Sequence, residues 1–78
     1  MTKYRLTERE TFAPDYKYSE EFKKLTNAQA RMRQMYHELA INGNPDAIQK
    51  AEINERSASV IINDGNEVYW DIEEIITS

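Results

Sequence analysis

The stretch from Ser57 to Ile72 most constrains the fold, because two β-rich runs flank the loop residues Asn63-Asp64-Gly65. A three-residue loop, with Gly65 in the left-handed region, pairs Val60 with Val68 and keeps apolar side chains together. A two-residue turn would mix apolar and polar side chains on both faces. The apolar pattern therefore predicts the three-residue loop. The core face of this hairpin would carry Ala58, Val60, Ile62, Val68, Trp70 and Ile72.

The first part of the chain reads as a hairpin. Residues 3–12 alternate like a half-buried strand with Tyr4, Leu6 and Phe12 on one side, apart from Glu8 and Glu10. The proline in Ala13-Pro14-Asp15 indicates a turn. Residues 16–24 fit a helix or a strand. We favour a strand with Tyr16, Tyr18 and Phe22 on one face, because a better helix start follows.

The clearest helix is predicted from Asn27 to about Ile41. Thr26 and Gln29 match a capping box at its start, and the segment Asn42-Gly43-Asn44-Pro45 ends it. Its apolar stripe is Ala28, Met32, Met35, Tyr36 and Leu39. This stripe predicts a helix that lies on the core face of the hairpin.

The remaining segments are short. Residues 46–49 are expected to form one helical turn, and a bulge or tight turn at Asn54-Glu55-Arg56 would bring Ala51 and Ile53 into phase with the hairpin. The tail, residues 73–76, continues the last strand or ends in a short turn. The predicted fold is α+β, a single domain over residues 1–78, with an antiparallel sheet of four to five strands and one helix on one face (β-β-α-β-β).

Composition limits the classes of function. The chain has no cysteine and no apolar run of signal-peptide or membrane-span length, so we expect a cytoplasmic protein without disulfides or membrane contact. The net charge of −4 is uneven, because residues 1–37 hold eight Lys/Arg against five Asp/Glu, and residues 38–78 hold two against nine. An acidic protein is a poor general binder of nucleic acid.

No pattern in the sequence predicts catalysis, a cofactor or a metal. His37 is the only histidine, and the segment Asp64–Glu67 is too short for a calcium loop. On a strand Asp71 and Glu73 share one side while Glu74 points away, which indicates a solvated acidic edge. Two glycines cannot supply a phosphate loop. We therefore expect no enzyme.

The order of elements resembles small uncharacterised proteins encoded by phages, prophages and plasmids of Gram-positive bacteria. The resemblance rests on the runs Lys3–Thr7, Tyr18–Phe22 and Ser57–Val60, and on Val68–Ile75 after the helix. Characterised neighbours of similar size in such elements include anti-CRISPR and other anti-defence inhibitors. The resemblance thus implies a protein that binds and blocks a host protein, and it implies no particular functional residue.

The functional hypothesis is a non-enzymatic inhibitor or modulator whose acidic half contacts a basic surface on a host protein. Tyrosine among charges suits such an interface, and acidic residues would steer association. Its predicted partner-binding residues are Glu67, Tyr69, Asp71, Glu73 and Glu74. The alternatives are a small nucleic-acid-binding regulator that uses the basic N-terminal half, or an accessory subunit that forms homo-oligomers through a sheet edge.

Overall fold

The computed structural model describes residues 1–41, 45–62 and 65–77. Within these ranges it contains five strands, one α-helix and a single 3-10 turn, which confirms the predicted α+β fold of two strands, a helix and then further strands, with three strands after the helix. The elements are β1 (Thr2–Glu10), β2 (Ala13–Phe22), α1 (Leu25–Ala40), the 3-10 turn (Pro45–Ala47), β3 (Ile48–Ile53), β4 (Ser57–Ile62) and β5 (Glu67–Ile76).

The strands form one antiparallel sheet in the order β2-β1-β5-β4-β3. The last strand, β5, therefore lies at the centre of the sheet, with the first strand, β1, beside it. Helix α1 connects β2 on one edge with β3 on the other, so it must cross the sheet and covers one of its two faces. The Cα dimensions of 46 × 24 × 15 Å are thin enough for only one sheet and one helix layer.

The predicted register of the β4–β5 hairpin is confirmed. Val60 pairs with Val68 and Ala58 with Trp70. Gly65 has a φ of 79°, the left-handed conformation that glycine adopts without strain. Its backbone N–H donates to the carbonyl of Ile62 at 2.8 Å. The loop residues Asn63 and Asp64 lie outside the described residues.

Helix α1 begins earlier than its sequence predicts, and the predicted capping box is wrong. The N-cap is Lys24, with no side-chain cap hydrogen bond, and Thr26 lies within the first turn. Gln29 does not reach back to the helix start; its amide donates to the carbonyl of Glu55 at 3.0 Å. The half-buried Leu25 packs against the core, so apolar contact holds the first turn where a cap was expected.

The N-terminal hairpin is confirmed, but its turn lies earlier than predicted. The turn is at Thr11 and Phe12, whereas Pro14 belongs to β2. The pairing of β1 with β2 is irregular beside this proline, passing from Arg9 opposite Lys17 to Glu10 opposite Ala13. Proline is tolerated here because β2 is an edge strand. Pro14 has no N–H to donate, and it lies in the irregular stretch, where it has no partner on β1. Phe12 is consequently 49% exposed and does not continue the β1 core face.

The turn predicted between β3 and β4 is confirmed, because the backbone N–H of Asn54 donates to the carbonyl of Ser57 at 2.7 Å. Ala51 then pairs with Val60 and Ile53 with Ala58, on the helix side of the sheet. The expected helical turn near residues 46–49 is the 3-10 turn Pro45–Ala47, and the tail continues β5 to Ile76. The predicted helix end at 42–44 lies outside the described residues.

The core lies between α1 and the helix-covered face of the sheet. Trp70 is 1% exposed at its centre, and the T-shaped contact with Tyr36 has ring centroids 6.4 Å apart. The apolar stripe predicted for the helix supplies the other side, with Met32 fully buried. The buried residues are Leu6, Ala28, Met32, Ala58, Val60, Val68, Trp70 and Ile72.

Candidate functional site

The predicted partner-binding residues lie on the sheet face that α1 leaves uncovered, here called the open face. Side chains alternate along β5, so Glu67, Tyr69, Asp71 and Glu73 share this face because Trp70 points under the helix. Tyr69 is half-buried, and Asp71 and Glu73 are exposed. Glu74 pairs with Tyr4 on the opposite side of the sheet, so it is not part of the same surface.

The open face is not uniformly acidic, because the basic strand β1 lies directly beside β5. Arg5 pairs with Glu73 and Arg9 with Tyr69. The face thus has a basic row on β1 next to an acidic row on β5. The basic row is Lys3, Arg5 and Arg9, and the acidic row is Glu67, Asp71 and Glu73. The basic first half and the acidic second half of the sequence are thus represented on this face by two adjacent rows.

The ion pairs of this face tie β1 to β2 instead. The guanidinium of Arg5 contacts the Glu21 carboxylate at 3.0 Å, and the Lys3 ammonium lies 3.8 Å from the same carboxylate. These side chains are about two-fifths exposed, so the pairs contribute little to stability. In the described part of the chain Glu67, Asp71 and Glu73 form no ion pair, and Asp71 and Glu73 are exposed.

A second candidate site is a groove of about 420 Å³ between the C-terminal half of α1 and the sheet, here called the helix groove. Its volume is within the usual range of ligand pockets. Met35 and Leu39 form the helix wall, and Val68 and Trp70 lie on the sheet. The full lining is Glu8, Glu10, Phe12, Arg31, Met35, Glu38, Leu39, Ile62, Val68 and Trp70.

Three carboxylates surround this apolar lining. Glu8 and Glu10 come from β1, directly across from Trp70 and Val68, and Glu38 comes from the helix wall. Arg31 is the one cation in the lining, and it lies 3.7 Å from the carboxylate of Glu20 outside the groove. The groove therefore has a negative rim on two sides.

Hydrogen bonds position the rim. The hydroxyl of Tyr16 donates to the Glu8 carboxylate at 3.0 Å, and this bond raises the pKa of Tyr16 above its ordinary value. At the end of the groove, Thr11 exchanges two bonds with Glu67: its backbone N–H donates to the Glu67 carbonyl at 2.9 Å, and its hydroxyl accepts from the Glu67 N–H at 2.8 Å. These bonds hold the turn that presents Phe12.

Trp70 adds a polar atom to this apolar site. Its indole Nε1 is buried and has no hydrogen-bond partner. Among the described side chains that are not exposed, it is the only buried nitrogen or oxygen in that condition. An unpaired buried donor costs stability, and in native proteins such groups are rare. The unpaired donor therefore belongs to Trp70, one of the sheet residues that line the helix groove.

The sequence carries a signal for the groove that belongs to no known motif. Glu8 and Glu10 break the apolar alternation of β1, on the side of the strand that carries the buried Leu6. Two acids in a core register indicate that the apolar core does not extend to that end of the strand. Glu38 carries no comparable signal, because its approach to β1 depends on how the helix crosses the sheet.

Other candidates for chemistry are not brought together. His37 is exposed on the helix, beside the Tyr36 ring with centroids 5.7 Å apart. In the described ranges no cluster of three or more His, Cys, Asp or Glu side chains is placed to hold a metal ion.

The helices in the described part of the chain are too short or too polar to cross a membrane.

Comparison of the chain with protein-family models, with curated proteins and with solved structures finds no match to any of them. The class that the fold defines is an α+β protein with a five-stranded antiparallel sheet, one face covered by a helix and the other open.

Proposed function

We propose that this protein acts by binding rather than by catalysis, and that the helix groove takes a cationic, amphipathic segment of a partner protein. The observation that carries the proposal is an apolar groove with carboxylates on both walls. An apolar side chain of the partner would fill the space over Trp70 and Met35, and flanking Lys or Arg residues would meet Glu10 and Glu38. Complementary charge gives such an interface its specificity and its rate of association.

The negative rim favours a protein over the other large ligands. Nucleic acids and anionic membrane surfaces carry the same sign of charge as the three carboxylates and would be repelled. A basic partner surface was also the expectation from the charge of the chain. That the partner is a host defence protein, that the chain comes from a phage or mobile element, and that it acts in the cytoplasm stay predictions from the sequence.

The only tryptophan of the chain lines the groove, so its fluorescence can report binding. The probe is a short peptide of alternating arginine and leucine, with a peptide of alternating glutamate and leucine as its charge-reversed control. We expect the arginine peptide to cause a saturable change in Trp70 emission, and the glutamate peptide to cause none. Binding should weaken as salt rises, because exposed charges are screened.

A pair of variants places the site. Glu10→Lys with Glu38→Lys should weaken binding of the arginine peptide by about tenfold or more, since two attractive contacts become repulsive. The matched control, Asp71→Lys with Glu73→Lys, makes the same change in net charge on the open face and should bind as the wild type does. Equal weakening by both variants, or equal binding of both peptides, would contradict the proposal.

A further inference from the structure

The open face carries a charge pattern that is complementary to itself. Its basic row on β1 and its acidic row on β5 are adjacent, with three charges each, and β5 is the central strand with β1 directly beside it. Neighbouring strands lie about 4.8 Å apart, so the two rows meet along the middle of the face. Although the basic and acidic rows are adjacent, Arg5 and Lys3 form their ion pairs with Glu21 on β2.

We propose that the open face binds a second copy of this chain, the two sheets facing each other about a two-fold axis that runs along the strands between β1 and β5. Rotation about this axis exchanges left and right but leaves height along the strands unchanged. It therefore places β1 of one copy over β5 of the other. This surface is separate from the helix groove, so the dimer does not depend on the proposed function.

The same symmetry fixes which side chains meet. Residues that are opposite each other within one sheet become opposite each other across the dimer. Arg5 of each copy would face Glu73 of its partner, and Arg9 would face Tyr69, an arrangement suited to a cation–π contact. An axis perpendicular to the strands would instead place the basic row over its own copy, where like charges repel. The charge pattern thus selects one of the two face-to-face arrangements.

The size of the face predicts a weak dimer. With the axis between β1 and β5, four of the five strands overlap between the copies. At a spacing of about 4.8 Å these four strands give a width of about 14 Å, and the paired strands are roughly 20–30 Å long. Two such faces would bury about 600–900 Å² in projection, below the lower limit for stable specific complexes. Half-buried Tyr69 and Ile61 give the face some apolar area, and the charged rows set its orientation. Association should therefore be concentration-dependent and sensitive to salt.

Sedimentation equilibrium of the whole chain over a range of concentrations tests the dimer. At low salt we expect the wild-type mass to rise toward twice that of the monomer, and the dissociation constant should increase about tenfold or more in high salt. Reversal of the basic row (Arg5→Glu with Arg9→Glu) or of the acidic row (Asp71→Lys with Glu73→Lys) should each give a monomer. Reversal of Lys24 and Arg33 to Glu, on the helix side, should leave the dimer intact.

Mixing the two variants distinguishes a contact between copies from an effect of the substitutions within one sheet. An equal mixture of the basic-row and acidic-row variants should form a heterodimer, because each face now matches the other and not itself. A protein that stays monomeric at low salt, or two variants that dimerise as the wild type does, would overturn the proposal. Thermal unfolding monitors the fold of each variant. If the double variant Arg5→Glu/Arg9→Glu does not fold, Arg9→Glu alone keeps the Arg5–Glu21 pair and should still weaken the dimer.

Discussion

Trp70 and Tyr69 are neighbours on β5, yet one is 1% exposed beneath the helix while the other is half-buried on the open face. The same strands build both faces, and only the alternation of side chains separates them. On the helix-covered face apolar contacts dominate, and charges lie at its margins, with Glu8 and Glu10 at the helix groove and Glu20 and Glu74 opposite Leu6 and Tyr4. On the open face charges and small polar groups dominate. The difference teaches that apolar burial is concentrated on one face, so the other face can carry charged side chains without cost to the core.

The largest expected effect is a difference in the free energy of unfolding between two variants, each with one residue of one face truncated to alanine. Trp70→Ala should destabilise the protein by about 3–5 kcal/mol, because it leaves a large cavity between helix and sheet. Tyr69→Ala on the open face should cost about 1 kcal/mol or less, since its side chain is only half-buried. Chemical denaturation, followed by far-UV circular dichroism, gives both free energies. Similar losses for the two variants would mean that the faces share the stability equally.

An intermediate loss of stability is expected from a substitution in the β4–β5 turn. This turn sets the register and therefore the face on which each side chain lies. Gly65 has a φ of 79° and open space around its Cα, so Gly65→Val meets no steric neighbour but must strain its backbone. We expect a loss of roughly 1–2 kcal/mol in the free energy of unfolding. Denaturant unfolding measures it, with Asn66→Ala, the next residue in the chain, as a control. A neutral Gly65→Val would show that the left-handed conformation is not required for the register.

The smallest effect is a titration at the rim of the helix groove. The hydrogen bond from Tyr16 to Glu8 favours the neutral phenol, so the pKa of Tyr16 is raised in the folded protein. The contribution to stability is complete below the ordinary tyrosine pKa and is lost as the pH rises through the raised folded-state value. Glu8→Gln should lower the pKa of Tyr16 toward the ordinary value. NMR of the tyrosine rings, assigned with Tyr16→Phe, would record this change. An unchanged pKa of Tyr16 in Glu8→Gln would show that Glu8 does not cause the shift.

Local patterns in the sequence determined the elements and their faces. The alternation of residues 57–72 and the left-handed Gly65 established the β4–β5 register, and the apolar stripe established which side of α1 is buried. These signals are readable because they depend on residues close together in the chain. The start of α1 and the β1–β2 turn were predicted less well. The packing of Leu25 overrode a capping motif at Thr26, and Pro14 fitted an edge strand as readily as a turn.

Only the tertiary structure decided which strands are neighbours. The sequence separated a basic first half from an acidic second half, and that separation suggested one acidic surface at Glu67, Asp71 and Glu73. The pairing of β1 with β5 placed Arg5 and Arg9 among these residues and balanced their charge. The helix groove likewise depends on how α1 crosses the sheet. Contacts between residues distant in the chain depend on the packing of whole elements, which no local pattern encodes.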